Sequence, residues 1–203
     1  VQRYNLMSGG GYLPPKWGLG FTQRVPTLYS QDDILKEVKS FEEHDIPLDF
    51  IGVEHGLHSM SYPCTFEWDP TRFPNPKLFM DQLASRGVSA NLWLNPYVSP
   101  KSSLYPLVKN LTGSHTVWNG LVPDLTLAKT RQVYKDHFKK NHLDIGVGGY
   151  KIDEVDGYDN WVWPDVATFP SGTSAEQMRQ MYGSMVQKMT ADWYKEINKR
   201  TYG

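Results

Sequence analysis

The chain has 203 residues, of which 39% are hydrophobic and 21% are charged, as in an ordinary globular domain with a buried core. The 21 basic residues nearly balance the 22 acidic ones, which excludes a strongly basic surface for nucleic acid or anionic membranes and favours an uncharged partner. No apolar run approaches the roughly 20 residues of a membrane span, and residues 1–14 lack the pattern of a signal peptide. The compartment is left open.

Four apolar runs predict buried strands, and each run is followed by a loop and then a helical pattern. The runs cover residues 17–22, 48–54, 88–95 and 146–153. Repeated alternation of strand and helix predicts parallel strands joined by right-handed crossovers. The chain is therefore expected to be an α/β protein.

Three of the four helical patterns begin at residues that commonly cap helices. The four patterns begin at Ser30, with Asp33 completing a capping box; at Asn75, ending at Gly87; near Leu127, ending at Lys140; and near Ser174, ending at about Lys199. In the last of these, methionines at 178, 181, 185 and 189 predict a helix face that packs against the core.

An open doubly wound sheet and a barrel both fit this alternation. The loops after the second, third and fourth runs are long and rich in Trp, Tyr, His and Asp, which is typical of the C-terminal face of a barrel. No glycine-rich phosphate loop follows a predicted strand. We therefore expect one partial (β/α)8 barrel over 1–203, with an entry segment at 1–14 and about the first four β/α units at 15–203.

Acidic residues stand at the ends of two predicted strands. Side-chain alternation places Lys151 and Asp153 on one face of the fourth strand, and Glu54 at the end of the second. In a barrel these three side chains would point into one mouth. The lysine would help keep Asp153 ionised, as a nucleophile requires. A structural ion pair at 151 and 153, or a solvated glutamate at 54, is the alternative interpretation.

His55 and His58 suggest a metal site together with Glu54. Their spacing crosses from a strand into a loop rather than following one helix face, so the pattern does not favour a metal. We expect neither a metal nor a cofactor. A metal-dependent barrel hydrolase stays open as one alternative function.

Several sequence blocks, taken in order, resemble the catalytic barrel of glycoside hydrolase family 31. They are Leu13-Pro14-Pro15-Lys16-Trp17-Gly18-Leu19-Gly20, Ile46-Pro47-Leu48-Asp49, Phe66-Glu67-Trp68-Asp69, Phe73-Pro74-Asn75-Pro76, Gly149-Tyr150-Lys151-Ile152-Asp153 and Met181-Tyr182-Gly183. The resemblance implies a retaining, exo-acting α-glycosidase that needs no cofactor and acts on a small carbohydrate. It also implies that Asp153 is the nucleophile, and that the substrate-binding residues are Glu54, Lys151, Trp118 and Asp156.

The chain departs from the commonest form of that family. A Trp usually stands two residues before the nucleophile and an Asn-Glu pair follows it, whereas here these places hold Lys151 and Val155-Asp156. The Lys-x-Asp order is similar to that of members acting on xylosides, galactosides or other non-glucose sugars.

The resemblance also places the acid/base on an Asp after a sixth strand. We expect it, with the remainder of the barrel, beyond residue 203, so the chain alone is expected to be inactive. A carbohydrate-binding barrel that does not hydrolyse is the second alternative function. The loop with Trp161 and Trp163 is expected either to cover the mouth or to pack against the fourth helix.

Overall fold

The computed structural model describes residues 1–11, 13–155 and 163–203. Their helices and strands, in chain order, are α1 (Gln2–Met7), β1 (Thr22–Arg24), α2 (Gln31–Glu43), β2 (Phe50–Val53), α3 (Pro76–Ser85), β3 (Ser89–Leu94), α4 (Tyr105–Val108), β4 (Thr112–Val117), β5 (Gly120–Pro123), α5 (Ala128–Phe138), β6 (Gly149–Ile152) and α6 (Ala175–Glu196).

The main sheet of the described residues is parallel and has the strand order β1-β2-β3-β6. Because each strand pairs with the next one in the barrel order, the expected arrangement of the first four β/α units is confirmed. Tyr202 forms a parallel bridge to Gly149, so the chain again runs beside the outer edge of β6.

The two faces of the sheet carry different side chains. Ile51, Leu92 and Tyr150 are buried, and Tyr150 contacts Phe138 and Tyr194 of the helical layer. The opposite face borders an open cavity of about 360 Å³, whose lining includes Thr22, Arg24, Phe50, Gly52, Asn91 and Lys151. The helices thus cover one face and leave the other as the inner wall of a barrel.

The first strand was predicted too early in the chain. Lys16–Leu19 forms a 3-10 turn, and the strand comes later, at Thr22–Arg24. Part of the run at 17–22 is tightly packed, although Leu19 and Phe21 are exposed. A Cβ added at Gly20 would lie 2.0 Å from the Asp49 carboxylate carbon. The ring of Trp17 meets Phe50 and Tyr202 edge-on. The pattern therefore marks a packed turn and not a strand.

The helix caps agree with the sequence. Ser30 and Asp33 form the expected capping box, and the side chains of Asn75 and Ser174 accept hydrogen bonds from the first turns of α3 and α6. The hairpin of β4 and β5, which lies between β3 and α5, was not expected from the sequence. No helix of the described residues is long and apolar enough to cross a membrane.

Candidate active site

Charged side chains gather where the parallel strands end. Arg24 is the last residue of β1, Glu54 follows β2 directly, and Asp153 follows β6 directly, with Lys151 two residues earlier. Carboxyl ends of neighbouring parallel strands meet at one edge of the sheet, which is where barrel enzymes carry their chemistry. The structure brings three of the proposed site residues, Glu54, Lys151 and Asp153, to this edge.

Two cations and two carboxylates alternate across the cluster. Arg24 Nε donates a hydrogen bond to Glu54 Oε1 at 2.5 Å, and Lys151 Nζ lies 3.8 Å from the same oxygen. Lys151 Nζ is also 3.1 Å from Asp153 Oδ2. Lys151 therefore bridges the two carboxylates. This placement is consistent with the side-chain alternation that puts Lys151 and Asp153 on one face of the strand.

The Asp153 carboxylate is held from three sides. Trp93 Nε1 donates to Oδ2 at 2.9 Å, and the backbone N–H of Glu154 donates to Oδ1 at 3.0 Å. Partial burial raises the pKa of Asp153, but the hydrogen bonds from Trp93 and Lys151 outweigh burial and hold this pKa below its ordinary value. The group is therefore an anion at neutral pH, and 39% of its side chain is exposed.

The Glu54 carboxylate is far less accessible than Asp153. Its side chain is 5% exposed, and Oε1 is engaged by Arg24. Its other oxygen, Oε2, lies 3.9 Å from Nδ1 of His55. Burying this carboxylate is tolerable because two cations approach it, since an unpaired buried charge is costly.

Arg24 was not identified from the sequence. The hydrogen bond and the charge of Glu54 raise the pKa of Arg24, so it is a permanent cation of the cluster. The only signal was its position at a strand end, and that signal was hidden because the first strand was predicted to end at residue 22.

Trp118 lies at the tip of the β4–β5 hairpin, with φ of 48°. Its ring centroid is 4.9 Å from that of Tyr62 and 5.6 Å from that of Tyr97. Tyr62 in turn lies 5.3 Å from Trp93, the residue that donates to Asp153. Trp118 is thus connected to the charged cluster through two aromatic rings, rather than placed against it.

Trp163 does not cover the mouth. It is buried, with its ring centroid 4.8 Å from that of Tyr182 in α6 and 5.0 Å from that of His115. The loop was expected either to cover the mouth or to pack against the fourth predicted helix, which is α6. Trp163 packs against α6. Asp156 and Trp161 lie outside the described residues.

The two imidazoles near Glu54 have different surroundings: Nδ1 of His55 lies 3.9 Å from Oε2 of Glu54, whereas His58 is bound elsewhere. His58 is buried with Nε2 2.9 Å from the carbonyl oxygen of Trp93, and burial lowers its pKa to about 4. The described residues contain no group of three His, Cys, Asp or Glu side chains that could hold a metal ion. The geometry of Glu54, His55 and His58 gives no support to the metal-dependent alternative.

Comparison with known proteins identifies the family and supports the barrel fold. The model of the glycosyl hydrolases family 31 TIM-barrel domain matches residues 11–202. The α-xylosidase XylQ of Lactiplantibacillus pentosus is 34% identical over 168 residues, a stretch that covers 75% of this chain and 22% of XylQ. Neutral α-glucosidase AB of Sus scrofa is 26% identical, over 91% of this chain and 16% of that protein.

Two solved structures have a similar fold. One is a GH31 α-xylosidase from a soil metagenome complexed with xylose, with a TM-score of 0.79 and 17% identity, covering 92% of this chain and 29% of that one. The other is a Flavobacterium johnsoniae GH31 dextranase complexed with glucose, with a TM-score of 0.80 and 22% identity, covering 99% of this chain and 27% of that one. The chain thus spans less than a third of the length of each of these four proteins.

Proposed function

The chain belongs to glycosyl hydrolase family 31, and from this premise we propose that it supplies the nucleophile half of a retaining, exo-acting α-glycosidase. One observation carries the proposal. The Asp153 carboxylate lies at the C-terminal end of a barrel strand, is partly exposed, and is kept ionised by Trp93 and Lys151. An ionised, partly exposed carboxylate at that place is what nucleophilic attack on a sugar requires.

In the proposed first step, an oxygen of Asp153 attacks the anomeric carbon of a terminal α-linked sugar. A bond forms between that oxygen and the carbon, the glycosidic bond breaks, and the leaving oxygen takes a proton from a general acid. Water then hydrolyses the glycosyl ester, and its proton goes to the same general acid, now acting as a base. Retaining enzymes hold these two carboxyl groups about 5–5.5 Å apart. We propose that the second carboxyl group comes from residues outside this chain.

The other site residues are proposed to bind the sugar. Lys151 is 44% exposed and can donate to a sugar hydroxyl while it stays close to Asp153. Glu54 would accept through Oε2, because its other oxygen is already bound by Arg24. Trp118 would contact the substrate further out in the mouth. Asp156 keeps its assignment as a binding residue from the family resemblance alone.

The presence of Lys151 also favours a sugar other than glucose as the substrate. The family resemblance associates a lysine two residues before the nucleophile with xylosides, galactosides and related sugars. XylQ, the relative with 34% identity, is named an α-xylosidase. An α-xyloside is therefore the first substrate to test.

The test compares Asp153→Asn with the wild type in the full-length protein that carries this chain. Asparagine keeps the shape of the side chain but cannot form a glycosyl ester. We expect turnover to fall by at least about 10³-fold, with sugar binding retained. Asp81→Asn, which alters an exposed carboxylate on α3, should leave turnover unchanged.

The stereochemistry of the first-formed product gives a second readout. NMR should detect an α-anomer released from an α-glycoside by the wild type. Release of the β-anomer would contradict a covalent intermediate. Sugar binding with no hydrolysis by the wild type would instead support the carbohydrate-binding alternative.

A further inference from the structure

Glu154, the residue that follows Asp153, has a backbone conformation that is rare for a glutamate. Its φ is 61°, in the left-handed region where residues other than glycine, asparagine and aspartate are uncommon. Such a conformation persists only where surrounding contacts hold it. The backbone N–H of this residue donates to Oδ1 of Asp153 at 3.0 Å, so the rare conformation lies directly beside the nucleophile.

The carbonyl oxygen of Glu154 is bound by a buried tyrosine. Tyr97 lies in the segment after β3 and is 0% exposed, and its hydroxyl donates to this oxygen at 2.6 Å. The same hydroxyl accepts a hydrogen bond from Nε1 of Trp163 at 3.4 Å. Because the φ and ψ angles of Glu154 relate its N–H to its carbonyl group, a contact that holds the carbonyl also helps to hold the N–H.

Tyr97 is itself held firmly in place. Its ring is parallel to that of Tyr182 in α6, within 4°, at a centroid distance of 6.4 Å, and it meets the ring of Trp118 at 5.6 Å. Its backbone N–H donates to Oδ1 of Asn95 at 3.2 Å, and its carbonyl oxygen accepts from the backbone N–H of Cys64 at 3.0 Å. The hydroxyl is therefore a fixed point against which the backbone after β6 can be positioned.

We propose that Tyr97 is a positioning residue for the nucleophile, acting through the backbone of Glu154. This inference rests on the proposed function. The buried ring does not reach the sugar, but its hydroxyl binds the Glu154 carbonyl and so keeps the left-handed conformation in place. That conformation directs the Glu154 N–H at Oδ1, which orients the Asp153 carboxylate for attack and helps keep it ionised.

The experiment removes only the hydroxyl, with Tyr97→Phe in the full-length protein that carries this chain. We expect kcat to fall by at least about ten-fold and KM to stay within about three-fold, since a misdirected carboxylate impairs attack rather than binding. The backbone hydrogen bond from Glu154 lowers the pKa of Asp153, so the acid limb of kcat/KM should move to higher pH. The charged cluster at the strand ends is unchanged in this variant.

Tyr194→Phe is the matched control. Tyr194 is also buried, and its hydroxyl also donates to a backbone carbonyl, that of Val147 at 2.8 Å, which precedes β6 and lies away from its catalytic end. This variant should leave kcat and the acid limb unchanged.

A second pair of variants tests the same conformation without altering Tyr97, and it decides the matter if Tyr97→Phe does not fold. Glu154→Ala and Glu154→Val both remove the carboxylate, but only the β-branched valine strongly resists a positive φ. We expect kcat of the valine variant to be at least about five-fold below that of the alanine variant, with its acid limb at higher pH.

The outcomes separate this inference from the proposed function. An inactive wild type, or full activity in Asp153→Asn, would contradict the proposed function itself. An active wild type whose kcat and acid limb are unaltered by Tyr97→Phe would overturn only the inference. Equal losses in Tyr97→Phe and Tyr194→Phe with an unmoved limb would show a structural role and overturn it too, as would equal kcat values and acid limbs in the two Glu154 variants.

Discussion

At the scale of the residue, Asp153 depends on its neighbours for its charge. One of its oxygens is shared by Trp93 and Lys151, and the other is bound by the backbone of Glu154. Glu54 competes for Lys151, with its Oε1 at 3.8 Å against 3.1 Å for Asp153. Because Arg24 neutralises much of the charge on Glu54, the lysine is left closer to Asp153. Arg24 thereby acts on Asp153 through two other side chains.

Replacing Lys151 by Met tests this dependence through pH. The hydrogen bond and the charge of Lys151 lower the pKa of Asp153, so their removal should raise that pKa. Asp153 attacks only as an anion, and the acid limb of the kcat/KM profile should therefore move to higher pH. Lys39→Met, on the exposed face of α2, is the control and should leave the limb in place. An unmoved limb in Lys151→Met, or one that moves to lower pH, would contradict the assigned contact.

At the scale of the element, locally encoded features could be predicted from the sequence. The caps at Ser30, Asn75 and Ser174 depend on residues within one helical turn, and all three are present. Alternation of side chains alone predicted which face of β6 each residue occupies. It places the Tyr150 ring against the helices and Lys151 at the cavity. These features needed no knowledge of distant contacts.

Features that depend on distant contacts could not be predicted. The turn of the β4–β5 hairpin consists of Trp118 and Asn119, both with positive φ, of 48° and 63°. A large aromatic residue is uncommon there, since such two-residue turns favour Asn, Asp and Gly. Gly120 follows the turn, and a Cβ on it would lie 2.4 Å from Pro63. The contact that requires this glycine lies far away in the sequence.

The methionines of α6 illustrate the same limit. The sequence predicts one buried face, and Met178 and Met189 are indeed buried, while Met181 is 41% exposed. Over the 22 residues of this helix, tertiary packing decides which members of a long stripe meet the core. The periodicity identified the helix but not the width of its packed face.

At the scale of the whole molecule, two buried histidines and one partly buried histidine make stability depend on pH. Burial lowers the pKa of His58 to about 4, and it also lowers the pKa values of His137 and His142. An unfolded chain binds protons at these groups below about pH 6.5, whereas the folded chain does not until lower pH. Their contribution to stability is therefore complete above pH 6.5 and is lost as the pH falls toward 4.

Urea denaturation should detect this loss. Between pH 7.5 and pH 5, the shift of His58 alone predicts a decrease of about 2 kcal/mol in the free energy of unfolding. His58→Gln should flatten the dependence on pH, whatever its effect on absolute stability. His44→Asn changes an exposed histidine and should leave the slope unchanged. A free energy of unfolding that is equal at the two pH values would refute the burial argument.

The assignment of Asp153 as nucleophile is tested most directly by trapping the glycosyl ester. The full-length protein that carries this chain is incubated with a slow fluorinated α-glycoside, digested, and mapped by peptide mass analysis. We expect the mass of one fluorinated sugar on the peptide that contains Asp153, and no adduct in Asp153→Asn. An adduct on Glu54 or on any other residue would contradict the mechanism proposed for this chain.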